Sequence, residues 1–277
     1  MMDVNSGQPS AKEVFDTTPY TILVVDDNPD MTDFLKRTFE GYFKRIIIAG
    51  DGGEALQLVR SHVPDIIVSD VMMPRMNGYK LCKTIKEDIN ISHIPVILLT
   101  ARDDRQSQIS GYKNGADGYL SKPFEVEMLM ELIRNRLKNR EYTKKRYLNA
   151  GLIPTPEEST ISLTDETFLI KLNSIIQENI ENSNLGIQFI CQEVGLGRSS
   201  LYNKLKALTG MGANEYISKL RIEKAITLIS GTDMPFSEIA EKTGFTTPSY
   251  FSTAFKQYTG ETPSQYKERK KKGLADK

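Results

Sequence analysis

Acidic, hydroxyl and ammonium side chains come directly after apolar runs in the first half of the chain. The run TILVV leads into Asp26 and Asp27, and the run DIIVS leads into Asp70. Further along, PVILLT ends on Thr100, and Lys122 follows GYLS. Three carboxylates in one crevice would repel one another unless a cation lay between them. Because oxygen ligands favour a hard ion, these residues predict a Mg²⁺ site.

A carboxylate beside Mg²⁺, with a lysine and a hydroxyl nearby, can attack a phosphoryl group. The metal and Lys122 would stabilise the phosphoryl oxygens, and the product would be an acyl phosphate on an aspartate. Simpler structural roles exist for each residue: Asp26 and Asp27 could cap a helix near Pro29, Asp70 could begin a turn, and the lysine could be a solvated charge. Their joint occurrence after successive apolar runs favours the phosphoryl site.

The elements that would bring these side chains together are apolar runs that alternate with helix-period segments. The runs cover 21–25, 45–49, 65–69, 95–100 and 118–121, and the helical segments lie near 30–40, 53–61, 78–88, 104–114 and 125–138. Short apolar strands separated by helices predict a parallel sheet with both faces covered. We therefore expect a doubly wound, five-stranded α/β domain with its ligand site at the carboxyl ends of the strands.

The segment from 21 to 138 resembles the receiver domain of two-component response regulators. The resemblance rests on VVDDNPD, SDVMMPRMNG, LLTA and GYLSKPF, which occur in order and at the spacing of that family. It implies that Asp70 is the phosphoacceptor and that a histidine kinase donates the phosphoryl group. The remaining roles that it implies are Mg²⁺ ligation by Asp26, Asp27, Asp70 and the backbone carbonyl of Met72, and phosphoryl contacts from Thr100 and Lys122.

The same resemblance implies a conformational switch beside the phosphoacceptor. Tyr119 matches the aromatic residue that turns inward as Thr100 moves. The Lys122–Pro123 bond matches the cis peptide of the family, which would aim the lysine inward. Pro74 and Gly78 would shape the loop that presents a carbonyl to the metal.

The composition is that of a folded protein of about two domains. Of the 277 residues, 39% are hydrophobic, which suffices for ordinary cores and argues against wholesale disorder. Residues 185–277 hold 14 Lys and Arg against 9 Asp and Glu, whereas residues 1–140 hold 18 against 20. The C-terminal part is thus mildly basic, which is compatible with an acidic polymer as its ligand.

The two cysteines, Cys82 and Cys191, have neither pairing nor metal spacing and lie among apolar neighbours. This pattern predicts reduced core thiols in a cytoplasmic protein. No apolar run approaches ~18 residues and no signal peptide is visible, so we expect neither a membrane span nor export.

Changes in pattern along the chain predict four segments. Residues 1–18 are small, polar and aperiodic, which is typical of a disordered tail. The α/β domain would cover 19–138, and the polar stretch 139–163, with its two prolines, indicates a linker. From 164 to 272 the pattern predicts an all-helical domain, with Thr164 in the capping signal of its first helix.

An internal repeat lies within this helical part. ICQEVGLGRSSLYNKLKALTG (190–210) aligns with IAEKTGFTTPSYFSTAFKQYTG (239–260) after one insertion, and each copy predicts a helix, a glycine turn and a second helix. Two plain helical hairpins would explain the paired apolar positions equally well. The outer faces favour DNA, because their side chains suit bases and phosphates. These candidate DNA contacts are Arg198, Ser199, Tyr202, Asn203, Lys206, Ser249, Ser252, Thr253 and Lys256.

Residues 164–269 resemble the tandem helix-turn-helix domain of AraC-type transcription regulators. NEYISKLRIEKAITLI matches the long helix that joins the two motifs, and FSEIAEKTGFTTPSYFSTAFKQYTGETPSQYKER matches the family signature. The resemblance implies a recognition helix in each of two successive major grooves, roughly one helical turn apart. Asn203 and Thr253 depart from the family, whose members often carry a basic residue at these positions.

Together, these features predict a transcription regulator of promoter DNA that is controlled by phosphorylation of Asp70. Repacking of the face around 104–121 would promote DNA binding, most simply through homodimerisation. The pairing of domains resembles free-standing response regulators. It also resembles the C-terminal end of hybrid two-component systems, in which a membrane sensor kinase shares the polypeptide, and the doubled Met1-Met2 fits a fragment of this kind.

Two other classes of protein stay open on the sequence. One is a hydrolase that forms a phosphoaspartate. Such enzymes carry a second acid two residues after the nucleophile, where this chain has Met72. We therefore expect no enzymatic activity beyond the formation and hydrolysis of the aspartyl phosphate. The other is a phosphotransfer or docking module whose helical domain binds a protein. A plot of log affinity against log salt concentration with a slope of about −0.9 per phosphate contact would indicate that the ligand is DNA and not a protein.

Overall fold

The structure is a computed structural model that describes residues 14–101, 115–150 and 162–275. The chain forms two compact units, one built around a sheet and one built of helices. The predicted helix near 104–114, residues 1–13 of the predicted tail and residues 151–161 of the predicted linker lie outside the described residues.

The first part of the chain alternates strands and helices. Its elements are β1 (Thr21–Val25), α1 (Pro29–Phe39), β2 (Arg45–Ala49), α2 (Gly52–His62), β3 (Ile66–Asp70), α3 (Gly78–Glu87), β4 (Val96–Thr100), β5 (Gly118–Ser121) and α4 (Val126–Ala150). All strand pairs are parallel and the order is β2-β1-β3-β4-β5, which confirms the predicted five-stranded α/β fold. The order reverses between β1 and β3, the switch point at which such sheets bind ligands.

The strands form at the apolar runs because both faces of the sheet are covered. Every residue of β3 and β4 is buried. Since burial of one large aliphatic side chain contributes about 1.5–3 kcal/mol, these runs are stable only inside the sheet. Side chains from strands and helices share one core, which includes Ile22, Val24, Leu35, Phe39, Ile66, Val68, Ile97, Leu99, Leu129 and Ile133.

The helices that flank β2 both begin at a polar cap. The side chain of Asn28 accepts a hydrogen bond from the amide of Asp30 at 2.9 Å and caps α1. Asp51 caps α2 and accepts hydrogen bonds from the amides of two residues in its first turn. The cap of α1 is therefore Asn28, and not the pair Asp26 and Asp27 that precedes it.

Two segments next to the sheet unit, which ends at Lys138, differ from the predicted linker and tail. Helix α4 continues to Ala150, so residues 139–150, predicted as part of the linker, are helical. That stretch contains neither glycine nor proline, and Glu141 pairs with Lys144 at 2.5 Å, so no residue in it ends the helix. At the other end, Thr17 is buried and its hydroxyl donates to the carbonyl of Tyr42 at 2.7 Å. The predicted tail therefore does not reach residue 18.

The C-terminal unit is helical, as predicted. Its helices are α5 (Leu163–Glu178), α6 (Ile187–Val194), α7 (Arg198–Thr209), α8 (Ala213–Gly231), α9 (Phe236–Lys242), α10 (Pro248–Thr259) and α11 (Pro263–Ala275). Two apolar cores lie within it. The first includes Phe168, Leu172, Ile190 and Leu205, and the second includes Ile239, Phe245, Phe251 and Phe255. Helix α8 contributes side chains to both cores.

Helix α5 begins one residue before the predicted start. Ser162 is its cap and accepts a hydrogen bond from the amide of Asp165 at 3.2 Å, so the capping residue is not Thr164. Asp165 is itself buried and pairs with Lys204 on α7. Burial lowers the pKa of Lys204, and the carboxylate of Asp165 works against this shift. The ion pair thus links the first helix of the unit to the first motif.

Among the described residues, no helix is both long enough and apolar enough to cross a membrane.

Candidate phosphoacceptor site and nucleic-acid interface

Three charged side chains meet at the carboxyl ends of β1, β3 and β5. The ammonium nitrogen of Lys122 lies 2.9 Å from Asp26 Oδ2 and 2.5 Å from Asp70 Oδ1. Both aspartates are buried, with exposed fractions of 3% and 6%. The Lys122–Pro123 bond is cis, as the resemblance implied. One ammonium group therefore neutralises part of the charge of two carboxylates that have little contact with solvent.

Burial shifts the titration of this cluster. It raises the pKa of Asp70 above the ordinary value, and the charge of Asp26 adds to the shift, whereas Lys122 opposes it. Burial also disfavours the ammonium of Lys122, but its hydrogen bonds to Asp26 and Asp70 outweigh this effect and raise the pKa of the lysine. Lys122 is therefore held as a cation beside a carboxylate that is more basic than usual, which suits a nucleophile and its charge-stabilising neighbour.

The loop after β3 is held close to Asp70. The amide of Met72 donates to Asp70 Oδ2 at 2.6 Å. A Cβ on Gly78 would lie 2.2 Å from the carbonyl oxygen of Asp70, so only glycine fits there. Arg75 adopts a φ of 63°, and its guanidinium pairs with Asp51 at the start of α2. The loop is thus anchored to a strand on one side and to a helix on the other.

Thr100 and Tyr119 lie on the neighbouring strands β4 and β5, where Thr100 pairs with Ser121 and Tyr119 pairs with Leu98. Thr100 is buried, and its carbonyl accepts the amide of Lys122 at 2.6 Å. The ring of Tyr119 stacks on Tyr79 with 6.3 Å between centroids, and the two hydroxyls form a hydrogen bond. The sequence analysis missed Tyr79, because this contact joins residues 40 positions apart.

The third predicted carboxylate does not join this cluster. Asp27 is exposed, unlike Asp26 and Asp70. In the described parts of the chain, no three acidic, histidine or cysteine side chains are grouped as ligands for a metal ion. The two buried carboxylates still have the oxygen donors that a hard cation such as Mg²⁺ prefers, and Lys122 supplies their positive charge in this structure.

Two helix pairs in the C-terminal unit have helix-turn-helix geometry. Each turn contains a glycine with positive φ: Gly195, at 74°, caps α6 in the first motif, and Gly244, at 71°, follows the cap residue Thr243 of α9 in the second. The second helices, α7 and α10, bury their apolar faces, as Leu201 and Phe251 show. The opposite face of each second helix does not pack against either apolar core.

The candidate DNA contacts lie on these opposite faces. The exposed ones are Arg198, Ser199, Tyr202, Lys206, Ser249, Thr253 and Lys256. Asn203 and Ser252 are half-buried. The guanidinium of Arg198 lies 3.4 Å from the side-chain oxygen of Gln188 on α6. Small polar and basic groups on an exposed helix face can donate to phosphates and to base edges.

Comparison with known proteins identifies the family. Residues 22–134 match the family model of the response regulator receiver domain, and residues 190–269 match that of a helix-turn-helix domain. The probable transcriptional regulator ycf27 of Guillardia theta is 34% identical over 66% of this chain and 68% of its own. This chain belongs to the response-regulator family. Its helix-turn-helix part is of the AraC type.

This response regulator matches different shares of two further relatives. Histidine kinase P4 of Formosa agariphila is 41% identical over 90% of this chain but only 18% of its own. The DNA-binding response regulator MtrA of Mycolicibacterium smegmatis is 36% identical over 49% of this chain and 58% of its own. The response regulator thus spans less than a fifth of the first protein and somewhat more than half of the second.

The structure adds polar residues to the two outer faces that the sequence analysis did not single out. Gln188 and Asn214 border the same concave surface as Arg198 and Tyr202. Gln257 borders the corresponding surface beside Lys256. Gln188 lies on α6 and Asn214 on α8, so the search for contacts along the second helices did not reach them, whereas Gln257 lies on α10 beside Lys256 and was missed there.

Proposed function

We propose that this response regulator carries a phosphoryl switch, with Asp70 as acceptor, that controls the binding of promoter DNA by the helix-turn-helix unit. The observation that carries the proposal is the Lys122 ammonium held between Asp26 and Asp70 at the switch point of the sheet. The same chain holds two helices with polar, exposed faces of the kind that enter DNA grooves.

In the proposed transfer, a carboxylate oxygen of Asp70 forms a bond to phosphorus. The bond between phosphorus and a histidine nitrogen of the kinase breaks, and the imidazole leaves with that electron pair. The ammonium of Lys122 already contacts Asp70 Oδ1, so it is positioned to stabilise the phosphoryl oxygens. The amide of Met72 orients the carboxylate through Oδ2. Thr100 and Tyr119 are the proposed switch residues.

Mg²⁺ is the cation that we propose for this site, with Asp26, Asp27, Asp70 and the backbone carbonyl of Met72 as the groups that would hold it. When bound, Mg²⁺ supplies electrostatic stabilisation to phosphoryl oxygens. The burial of Asp26 and Asp70 supports the assignment, because two such carboxylates gain from a second cation beside Lys122. Asp27 would have to turn toward them from its exposed position.

The proposed DNA complex places α7 and α10 in successive major grooves, about 34 Å apart along the duplex. Arg198, Lys206 and Lys256 would contact phosphates, and these charges would make the affinity depend on salt. The remaining candidates, Ser199, Tyr202, Asn203, Ser249, Ser252 and Thr253, would face base edges or the sugar-phosphate backbone. Phosphorylation would favour a homodimer that binds two copies of this site.

A histidine kinase is the proposed phosphoryl donor. One relative, which matches 90% of this chain, is named a histidine kinase, and the match covers 18% of that protein. This supports a donor domain that is either a separate protein or part of the same polypeptide. A hydrolase is a weaker proposal, since the residue two positions after Asp70 is Met72, which has no acid to give a leaving group.

The test is a DNA-binding titration of the full chain against a pool of genomic fragments, with and without acetyl phosphate and Mg²⁺. The wild type is compared with Asp70→Asn, which keeps the size of the side chain but cannot form the acyl phosphate. We expect acetyl phosphate to tighten binding to a discrete fragment in the wild type alone. Equal binding by the two proteins under both conditions would overturn the switch.

A further inference from the structure

Helix α8 lies between the two helix-turn-helix motifs and belongs to both cores. Tyr216, Ile217 and Leu220 are buried in the first core, and Ile222, Ala225 and Ile229 are buried in the second. The change from one core to the other thus falls between Leu220 and Ile222. Arg221 occupies that position.

The guanidinium of Arg221 joins three separate parts of the unit. Its Nη2 donates to the carbonyl oxygen of Asn182, in the connection between α5 and α6, at 2.7 Å. Its central carbon lies 5.9 Å from the centroid of the Phe245 ring, just after the turn of the second motif. One side chain on α8 therefore contacts the first half of the unit and the turn of the second half.

The backbone is packed equally closely at this junction. A Cβ on Gly244 would lie 2.2 Å from the carbonyl oxygen of Ile180 and 2.9 Å from Nη2 of Arg221. Glycine is thus required in the second turn for contact with the first half as well as for its positive φ. Lys224 adds an ion pair with Glu181 at 3.2 Å, one helical turn further along α8.

The chemistry of Arg221 suits a positioning role more than a stabilising one. Its Nε is buried and has no hydrogen-bond partner among the described residues. Burial also lowers the pKa of the guanidinium. In the described parts of the chain no carboxylate pairs with this half-buried cation, so its partial loss of water is not repaid by an ion pair. The guanidinium instead fixes the orientation of the groups around it, because its planar donors fit one carbonyl and its face fits one aromatic ring at defined angles.

We propose that Arg221 is a positioning residue for DNA recognition, which holds the two helix-turn-helix motifs at one separation and so makes the protein select one spacing between two DNA half-sites. The inference rests on the proposed function. It deepens that function, because spacing becomes a specificity determinant beside the bases themselves.

Spacing is a sensitive readout of this role. One added base pair moves a half-site by about 3.4 Å and rotates it by about 34–36° around the duplex. A rigid pair of motifs cannot follow both changes, so one motif must lose its contacts. A loosened pair can tilt about α8 and keep part of them. Removal of Arg221 should therefore weaken the discrimination between spacings more than the recognition of either half-site.

The first experiment uses the full chain with acetyl phosphate and Mg²⁺. A random duplex library is selected on the wild type, and the selected duplex is remade with one base pair added or removed between the two half-sites that α7 and α10 of one protomer would contact. We expect the wild type to lose about tenfold or more in affinity on either change, and Arg221→Met to lose less than about threefold. Lys171→Met, an exposed cation-to-methionine change on α5, is the matched control and should behave as the wild type.

Three outcomes overturn the inference in distinguishable ways. If the wild type retains no duplex, the proposed function fails and the inference with it. If the wild type selects a single half-site, or if Arg221→Met keeps the full spacing discrimination, the inference alone fails. Should Arg221→Met not fold, Arg221→Lys takes its place, because it keeps the charge but not the planar donors. Unchanged discrimination in that variant would equally refute the role.

A measurement without DNA supplies the second readout. Hydrogen exchange is followed in peptides from α5–α7 and from α9–α11 of the full chain. We expect Arg221→Met to speed exchange in α9–α11 by about tenfold while α5–α7 stays near wild type, because the second half can then open alone. An equal change in both halves, or none in either, would contradict the proposed link.

Discussion

Replacement of Lys122 by methionine should destabilise the sheet unit through repulsion between two buried carboxylates. In the wild type, Asp26 Oδ2 and Asp70 Oδ1 lie 2.9 and 2.5 Å from the same nitrogen, so these oxygens are at most about 5.4 Å apart. Two unit charges at that distance repel by about 3 kcal/mol at an effective dielectric constant of 20. The side chain of Lys122 is 22% exposed, so water can enter, and we expect a net loss of about 2 kcal/mol in the free energy of unfolding at pH 7.

This destabilisation should depend on pH in a definite direction. Burial, and then the charge of Asp26, raise the pKa of Asp70 in the folded chain, and loss of Lys122 removes the main opposing effect. The folded state then keeps a proton that the unfolded chain has already lost. Stability therefore falls as pH rises from the ordinary pKa of an aspartate through the raised one. The penalty of Lys122→Met should be largest near pH 7 and shrink toward pH 4.

The assay is hydrogen-exchange mass spectrometry of the full chain across a urea series, in EDTA, with peptides from β1 and β3 as reporters of the sheet unit. Lys122→Met/Asp70→Asn is the matched control. It removes one of the two repelling charges and should recover most of the lost stability. The electrostatic argument would be refuted by a double variant no more stable than Lys122→Met, or by a penalty that stays constant between pH 7 and pH 4.

Three further predictions concern the loop after Asp70, the salt dependence of DNA binding and the phenol of Tyr258, which donates a hydrogen bond to Glu223. Gly78→Ala places a Cβ 2.2 Å from the Asp70 carbonyl oxygen and should lower both the stability and the rate of phosphoryl incorporation from acetyl phosphate, with a stability loss above about 1 kcal/mol. Lys206→Gln and Lys256→Gln should each reduce the slope of log affinity against log salt by about 0.9, measured by titration from low to moderate salt. Partial burial of the hydroxyl, together with the charge of Glu223, raises the pKa of Tyr258 to about 12, so Tyr258→Phe should remove an absorbance step near pH 12 from the titration.

Each of these predictions has its own control or contrary result. Gly53→Ala, at a glycine without backbone crowding, should leave phosphoryl incorporation unchanged, and an equal loss in both variants would contradict the argument for Gly78. Lys171→Gln, on the exposed face of α5, should keep the wild-type salt slope. For the phenol, loss of an absorbance step near pH 10 instead of pH 12 would show that Glu223 and burial do not act on Tyr258 as described.

Much of the fold followed from local patterns in the sequence. The strands lie within a residue of the predicted runs because a short apolar segment is stable only where both faces are covered. The helix ends were less predictable. Helix α4 runs on to Ala150 through a polar stretch that had indicated a linker, because polarity alone does not end a helix that lacks glycine and proline.

The sequence by itself determined that acidic and basic side chains would gather at one edge of the sheet, since parallel strands all end on the same side. Only the tertiary structure decided which of them meet. Asp26 and Asp70 share Lys122, while Asp27 is exposed, because consecutive side chains of an extended chain leave it on opposite sides. Lys122 reaches both carboxylates from the residue after β5, about fifty positions after Asp70, a pairing for which no local pattern exists.

In the C-terminal unit, too, some features followed from the sequence and others only from the packing of the helices. The repeat in the sequence determined two helix-turn-helix motifs, because each copy carries its own apolar face and glycine turn. It did not determine how the motifs are joined. That depends on Arg221 reaching Asn182 and on Gly244 lying against Ile180. Such contacts form between residues far apart in the chain and arise only once the helices have packed, since packing alone sets the distance between their side chains.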